Sequence, residues 1–283
     1  MLESLEHYST LSLYSAMAVY AIAFVFFAVD LANRSGAAPQ AQTAARPAGA
    51  EAAGGSTLTL TRTEATALPA TVRSRALRIG FGLTIVGFLF HAVATVLRGI
   101  AAERVPFANM YEFSLTATLT IVAVYLLVQF FVDLRFLGVL VTGLTVLFLG
   151  VTKVNFYVDI VPLPPALDSY WLIIHIMVAV LAVGFLTLSF GLSVLQLLQI
   201  RRENQVKAGQ AGGLRFMSTF PDAVRLEDFA YRMAIIGFVF WSFTLIAGSI
   251  WAERAWSRYW GWDTKEVWTF VIWVLYAGFI HAR

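Results

Sequence analysis

The chain has 283 residues, of which 59% are apolar and 13% are charged, and its mean hydropathy is +0.74. Because soluble domains usually carry about 25% charged residues, this composition excludes an ordinary soluble globular protein. The formal net charge of +3 reflects where a few loop cations lie and indicates no nucleic-acid partner. The sequence has no cysteine, which excludes internal disulfides, thiolate metal ligands and thiol chemistry by the chain itself.

Long apolar runs, separated by short charged segments, predict membrane-spanning helices. About 20 apolar helical residues cross the hydrocarbon core of a bilayer, which is about 30 Å thick. Seven runs are long enough: residues 12–33, 76–97, 111–132, 135–152, 171–199, 233–251 and 267–281. They are too long and too continuously apolar for the alternating strands of a closed barrel. The sequence therefore predicts an all-α, polytopic transmembrane helical bundle with about seven spans.

The positions of Lys and Arg predict the orientation, because cytoplasmic loops retain positive charge. An N-terminus outside the cell membrane assigns 14 of the 20 cationic residues to the inside. Three connections then lie on the outer side: residues 98–110, 153–170 and 252–266. The second contains three prolines, which stiffen it: Pro162, Pro164 and Pro165. A stiff connection here could serve as a lid or a docking ledge, or it could be a plain turn between two spans.

Composition divides the chain into three parts. Residues 1–33 are predicted to be an N-terminal transmembrane helix, with no cleavable signal peptide pattern. Residues 34–75 are rich in Ala, Gly, Pro, Thr and Gln and predict a flexible cytoplasmic linker. Residues 76–283 form the predicted transmembrane core. A long flexible linker implies that the first helix is only loosely tethered to that core.

The segment 251–268 is the most informative part of the sequence. It contains six large aromatic residues: Trp251, Trp256, Tyr259, Trp260, Trp262 and Trp268. One or two such residues would serve as interfacial anchors where a helix leaves the bilayer. Four tryptophans within residues 251–262 exceed that need, so we favour a platform for a large flat ligand.

Charged residues of the same segment have structural and functional interpretations. Asp263 and Glu266 have the spacing of a capping box at the start of the last span, and Asp263 also holds the aromatic loop in shape. Arg254, Arg258 and Lys265 either pair with carboxylates of a ligand or remain solvated.

Three of the four histidines lie in or at the ends of apolar helices. Ionisable groups in a span are rare and often functional, although a lone histidine there is commonly a packing residue. His175 lies about 7 Å below the outer edge and His91 about 10 Å, whereas His281 lies about 22 Å down, near the cytoplasmic end. Imidazole ligates haem iron. The fourth, His7, is predicted to be solvated.

The tryptophan-rich sequence at 250–283 resembles the signature of the CcsA family, also called ResC, which handles haem in system II cytochrome c assembly. The stretches VPFANMYEF at 105–113, LDSYWLIIHI at 167–176 and LEDFAYR at 226–232 are also similar to that family. Ser257 and Thr264 stand where the family usually has Gly and Pro.

The resemblance implies a set of haem-binding residues. His175 matches an external axial ligand of the haem iron and His281 an intramembrane one, whereas His91 matches no family ligand and ranks below both. The haem-contacting segment corresponds to Trp251, Trp256, Trp260, Trp262 and Asp263. The family's second external histidine, with one more span, is expected beyond Arg283.

The resemblance also implies a function. The protein is expected to bind haem b non-covalently, as a substrate, and to present it at the outer face for covalent attachment to apocytochrome c. It would then be a subunit of a membrane cytochrome c synthase, with a ResB-type membrane subunit and a thioredoxin-like reductant as partners. The alternatives are a haem exporter or carrier without synthase activity, and a secondary transporter for an unrelated solute.

Overall fold

A computed structural model describes residues 2–44, 74–164, 167–210 and 214–283. Within these ranges the chain forms seven α-helices: α1 (Leu2–Ala44), α2 (Arg75–Ala101), α3 (Met110–Val128), α4 (Gly138–Asn155), α5 (Tyr170–Lys207), α6 (Ala223–Trp256) and α7 (Thr264–His281). Short 3₁₀ turns occupy Arg135–Leu137 and Arg215–Thr219. The described ranges contain no strand. The all-α polytopic fold is thus confirmed.

Six of these helices are long and apolar enough to cross a membrane, and they correspond to the first six predicted spans: Ser4–Arg34, Arg75–Ala101, Met110–Val128, Arg135–Asn155, Tyr170–Lys207 and Ala223–Trp256. The seventh predicted span forms α7, which has 18 residues. Its first turn carries Lys265 and Glu266, and it is not among those six. Length and composition alone therefore support six spans.

The predicted outer connections gather at one end of the bundle, which we call the aromatic end. Arg98 at the end of α2 pairs with Glu6 near the start of α1 (2.6 Å) and donates to the Val158 carbonyl oxygen (2.8 Å). The Arg254 guanidinium lies 5.2 Å from the ring centre of Tyr170, so the end of α6 meets the start of α5. This grouping is expected if successive helices cross the membrane in opposite directions, because every second connection then lies on the same side. That this end faces outside remains a prediction.

The first helix is packed into the core, so the prediction of a loose tether is wrong. Aromatic rings of α1 fill grooves lined by glycine, because a residue without a side chain lets two helices approach closely. A Cβ at Gly87 would lie 2.8 Å from the buried Tyr20 ring, and one at Gly138 would lie 2.4 Å from Phe27. α1 continues to Ala44, and residues 45–73 of the predicted linker lie outside the described residues, so the linker remains a prediction.

A buried ionic cluster ties the aromatic end together. The Arg98 side chain, 1% exposed, contacts the Glu112 carboxylate (3.3 Å), whose side chain is 0% exposed. The Glu112 carboxylate also accepts from the Ala108 N–H, and the Asn109 side chain accepts from the Glu112 N–H. These two bonds cap the start of α3. Tyr157 donates to Glu6 at 3.0 Å; burial and this bond raise the Tyr157 pKa. The cluster joins α1, α2 and α3.

The proline-rich connection is fastened to the bundle through its backbone. The Arg104 side chain donates to the Val161 carbonyl oxygen (2.9 Å), and Arg98 holds the Val158 carbonyl, as described above. Both arginines also contact Glu112. Pro165 lies outside the described residues. These bonds fix residues 158–161 against α2 and the connection that follows it, but they do not distinguish a lid, a docking ledge or a plain turn.

Candidate functional site

A cavity of about 500 Å³ lies at the aromatic end, between α5, α6 and the start of α7. Its walls combine one histidine, aromatic rings, small residues and a polar helix start: His175, Thr244, Leu245, Gly248, Ser249, Trp251, Ala252, Trp256, Tyr259, Trp260, Asp263, Thr264, Lys265, Glu266 and Thr269. Five of the predicted ligand-binding residues therefore meet at one place. They are His175, Trp251, Trp256, Trp260 and Asp263.

His175 is held by α6 rather than by its own helix. Its Nδ1 lies 3.0 Å from the Thr244 carbonyl oxygen. Because a carbonyl oxygen only accepts, Nδ1 of the neutral ring carries the hydrogen, which leaves a lone pair on Nε2. The ring also lies against Gly248, where a Cβ would come within 2.8 Å of Cε1. Backbone and glycine together fix the tautomer and position expected of a metal-binding imidazole.

Tryptophans of α6 form an aromatic wall beside this imidazole. The Trp251 ring is nearly parallel to that of His175, with centres 6.1 Å apart and an interplanar angle of 13°. Trp256 meets Trp251 edge to face at 4.8 Å. Trp256 is 45% exposed and Tyr259 64% exposed, although both line the cavity. Such exposed aromatic faces suit stacking against a flat apolar ligand.

A capping box fixes the loop between α6 and α7, as the sequence predicted. Asp263 accepts from the Glu266 N–H (2.9 Å), and Glu266 accepts from the Asp263 N–H (3.2 Å) and from the Gly261 N–H (2.7 Å). Ser257 and Trp262 have left-handed φ values of 55° and 59°. Ser257 thus adopts a conformation that favours glycine.

The three cations of this segment have different surroundings. The Arg254 guanidinium lies over Tyr170 (5.2 Å) and Trp171 (5.9 Å). Arg258 lies 5.7 Å from the ring centre of Trp256. Lys265 instead lines the cavity. The two arginines thus lie against aromatic rings of the protein, whereas Lys265 lines the cavity.

Three predicted site residues lie away from the cavity. Trp262 is 74% exposed and contacts Trp260 edge to face, but it is not a lining residue. His281 is exposed at the far end of α7, roughly 26 Å along the helix from Thr264. His91 is 0% exposed, and its Nε2 lies 3.0 Å from the Leu115 carbonyl oxygen. Its contacts are those of a packing residue.

Sequence reasoning missed the α6 side of the cavity. Thr244, Gly248 and Ala252 all line it, and their spacing of four residues places them on one helical face. A stripe of small residues at this spacing lets another group approach the helix backbone. The signal was therefore present in the sequence, immediately before the tryptophan segment.

Comparison with known proteins identifies relatives for most of the chain. The sequence model of the family described as "Cytochrome C assembly protein" matches residues 107–283. The chain is 29% identical over 239 residues to the cytochrome c biogenesis protein CcsA of Trieres chinensis, covering 71% of this chain and 75% of that protein. It is 30% identical over 222 residues to CcsA of Guillardia theta, covering 72% of each.

One solved structure, titled "Cytochrome c Heme Lyase CcmF", has a similar fold. The superposition has a TM-score of 0.61 at 15% sequence identity, and it covers 98% of this chain and 41% of that chain. At this identity the likeness extends to the fold alone. It includes the helices that precede residue 107, where the family match begins.

Proposed function

Since this chain belongs to the cytochrome c assembly protein family and acts in cytochrome c biogenesis as a multi-pass membrane protein, we propose that it binds haem b in the cavity beside His175. We propose further that it presents this haem at the outer membrane face for attachment to apocytochrome c. The bound haem is the substrate of the assembly reaction and is held without a covalent bond.

One observation carries the proposal: an imidazole with a lone pair on Nε2 and three tryptophan rings line the same cavity. Imidazole is a common axial ligand of haem iron, and indole faces stack on flat conjugated rings. A volume of about 500 Å³ is within the range of pockets that enclose cofactor-sized ligands. The cavity therefore offers the ligand chemistry and the aromatic surfaces that a haem requires.

Each group of residues has a distinct task in this proposal. His175 binds the iron, and the Thr244 carbonyl and Gly248 keep its ring in place. Trp251, Trp256 and Trp260 support the porphyrin plane. Because the chain has no cysteine, both sulfur atoms of the thioether bonds come from apocytochrome c. This chain is then the haem-binding subunit of a cytochrome c synthase.

Further components complete the proposed reaction. A thioredoxin-like reductant keeps the apocytochrome thiols reduced. A ResB-type membrane subunit supplies a second imidazole for a haem at His281. That exposed residue lies at the opposite end of α7 from the cavity that contains His175. His91 is enclosed in the core, so a second ligand for a haem at His175 would come from another histidine.

The absorption spectrum of the purified chain tests the binding proposal. We expect the wild-type protein, purified from haem-replete membranes, to contain a b-type haem. His175→Gly should lose most of it, whereas His7→Gly should retain it, since His7 is exposed in the first turns of α1. A His175→Gly protein that is inserted normally and has the wild-type haem spectrum would contradict the assignment of the ligand.

A further inference from the structure

The start of α7 lines the cavity with polar and charged residues, whereas the side around His175 is mainly aromatic. We infer that Lys265 and the indole N–H of Trp260 form a carboxylate-binding subsite, which selects flat ligands that carry a carboxylate on one edge. This inference rests on the proposed haem-binding function, and it assigns to this chain the recognition of the haem propionates.

Lys265 is the cation with a free charge at the cavity. It lies among the lining residues, and in the part of the chain that the structure describes no carboxylate lies within ion-pair distance of its amine. Arg254 and Arg258, by contrast, rest on aromatic rings. An ammonium group without an ion-pair partner among the described residues is available to an anionic group of a ligand.

The indole N–H of Trp260 is a second, independent observation, because it has no hydrogen-bond acceptor among the described residues. Its Nε1 is buried and has no hydrogen-bond partner among the described residues. Of the residues that line the cavity, it is the one with such an atom. A buried donor without an acceptor is unfavourable, and a ligand oxygen at this position would satisfy it.

The backbone around Lys265 adds to the attraction. Thr264 and Lys265 are the first two residues of α7 and both line the cavity, where the helix start carries a partial positive charge. The carboxylates of Asp263 and Glu266 accept hydrogen bonds from backbone N–H groups of the loop. Asp263 also lines the cavity, and its carboxylate is held by the Glu266 N–H.

This subsite would orient the haem as well as retain it. The two propionates of haem b share one edge of the ring, and the vinyl groups lie on the part of the ring remote from them. If the iron is bound at His175 and the propionates at Lys265, the vinyl groups would lie on the part of the ring remote from α7. The vinyl groups are the atoms that the apocytochrome thiols must reach, so the subsite would expose the reacting edge.

Paired titrations test the inference. Detergent-solubilised wild-type protein, Lys265→Met and Lys265→Arg are each titrated with haem b and with haem dimethyl ester, which lacks the negative charges. Lys265→Met should bind haem b about fivefold more weakly, as expected for a partly exposed ion pair of about 1 kcal/mol, and should bind the ester as the wild type does. Lys265→Arg should restore the preference.

A matched cation of the same segment gives the control. Arg254→Met should leave the ratio of the two affinities unchanged, because its guanidinium lies over Tyr170 rather than in the cavity. If Lys265→Met weakens both ligands equally, or weakens neither, the subsite inference is wrong while haem binding stands. If the wild type binds neither porphyrin, the proposed function itself fails.

Discussion

At the scale of single residues, the imidazole of His175 owes its position to a residue with no side chain. A Cβ at Gly248 would lie 2.8 Å from Cε1 and 2.9 Å from Nδ1 of His175. These distances are shorter than van der Waals contact, so any larger residue would push the ring out of its bond with the Thr244 carbonyl. Gly278 of α7 has nothing within 4 Å of its Cβ position.

We therefore predict that Gly248→Ala lowers the haem content, whereas Gly278→Ala does not. The alanine at 248 displaces the His175 ring at a cost of about 1–3 kcal/mol. The alanine at 278 replaces an unconstrained helical glycine and is neutral or slightly stabilising. Pyridine haemochrome content per mole of purified protein measures both. Equal haem content in the two variants would mean that Gly248 does not position the ligand.

Local sequence predicted some of these residues and not others. The Asp263–Glu266 cap could be predicted because both partners lie within four residues. The role of Gly248 depends on a histidine 73 positions earlier in the chain, on a different helix. Trp262 belongs to the predicted aromatic set, yet its left-handed backbone turns it away from the lining residues, and nothing in the residue pattern reveals that.

At the scale of elements, the tryptophan segment is not uniform. Trp256 and Trp260 line the cavity, whereas Trp262 is 74% exposed beside it. We predict that Trp256→Leu combined with Trp260→Leu weakens haem retention during gel filtration, because leucine lacks the flat face and the indole N–H. Trp262→Leu should retain haem as the wild type does. If all of these variants retain haem equally, the segment is only an interfacial anchor.

The joint between α1, α2 and α3 depends on the buried Arg98 cluster. Removing one member of a buried ion pair leaves an uncompensated charge, which typically costs about 3–5 kcal/mol. Arg98→Met is therefore expected to lower the thermal unfolding midpoint, followed by circular dichroism in detergent. The double variant Arg98→Met/Glu112→Gln should recover part of the loss. A double variant less stable than the single one would exclude charge compensation as the reason.

The existence of the helices could be predicted from apolar runs, but their packing could not. Predicted spans end where apolar character ends, whereas α5 continues to Lys207 and α6 begins at Ala223, because polar turns remain helical beyond the bilayer. Docking of α1 requires glycines of α2 and α4 to face Tyr20 and Phe27. Such complementarity between distant segments leaves no local periodic signal.

At the scale of the whole molecule, the orientation in the membrane decides whether the cavity can meet apocytochrome c. The structure groups the connections near residues 98–110, 153–170 and 252–266 at the aromatic end, and the cation distribution assigns that end to the outside. We predict that reporters fused near residues 160 and 258 are active outside the cytoplasm, and that one fused at residue 210 is active inside it. A cytoplasmic signal at 258 would contradict presentation at the outer face.

The central claim is that His175 holds haem for delivery to apocytochrome c, and the maturation of a reporter cytochrome c in cells measures this most directly. In cells that depend on this chain, His175→Gly should abolish covalent haem attachment while the protein remains inserted. Added imidazole should partly restore attachment, because it refills the vacated ligand position beside Thr244 and Gly248. Covalent attachment at the wild-type rate in His175→Gly cells without imidazole would contradict the claim.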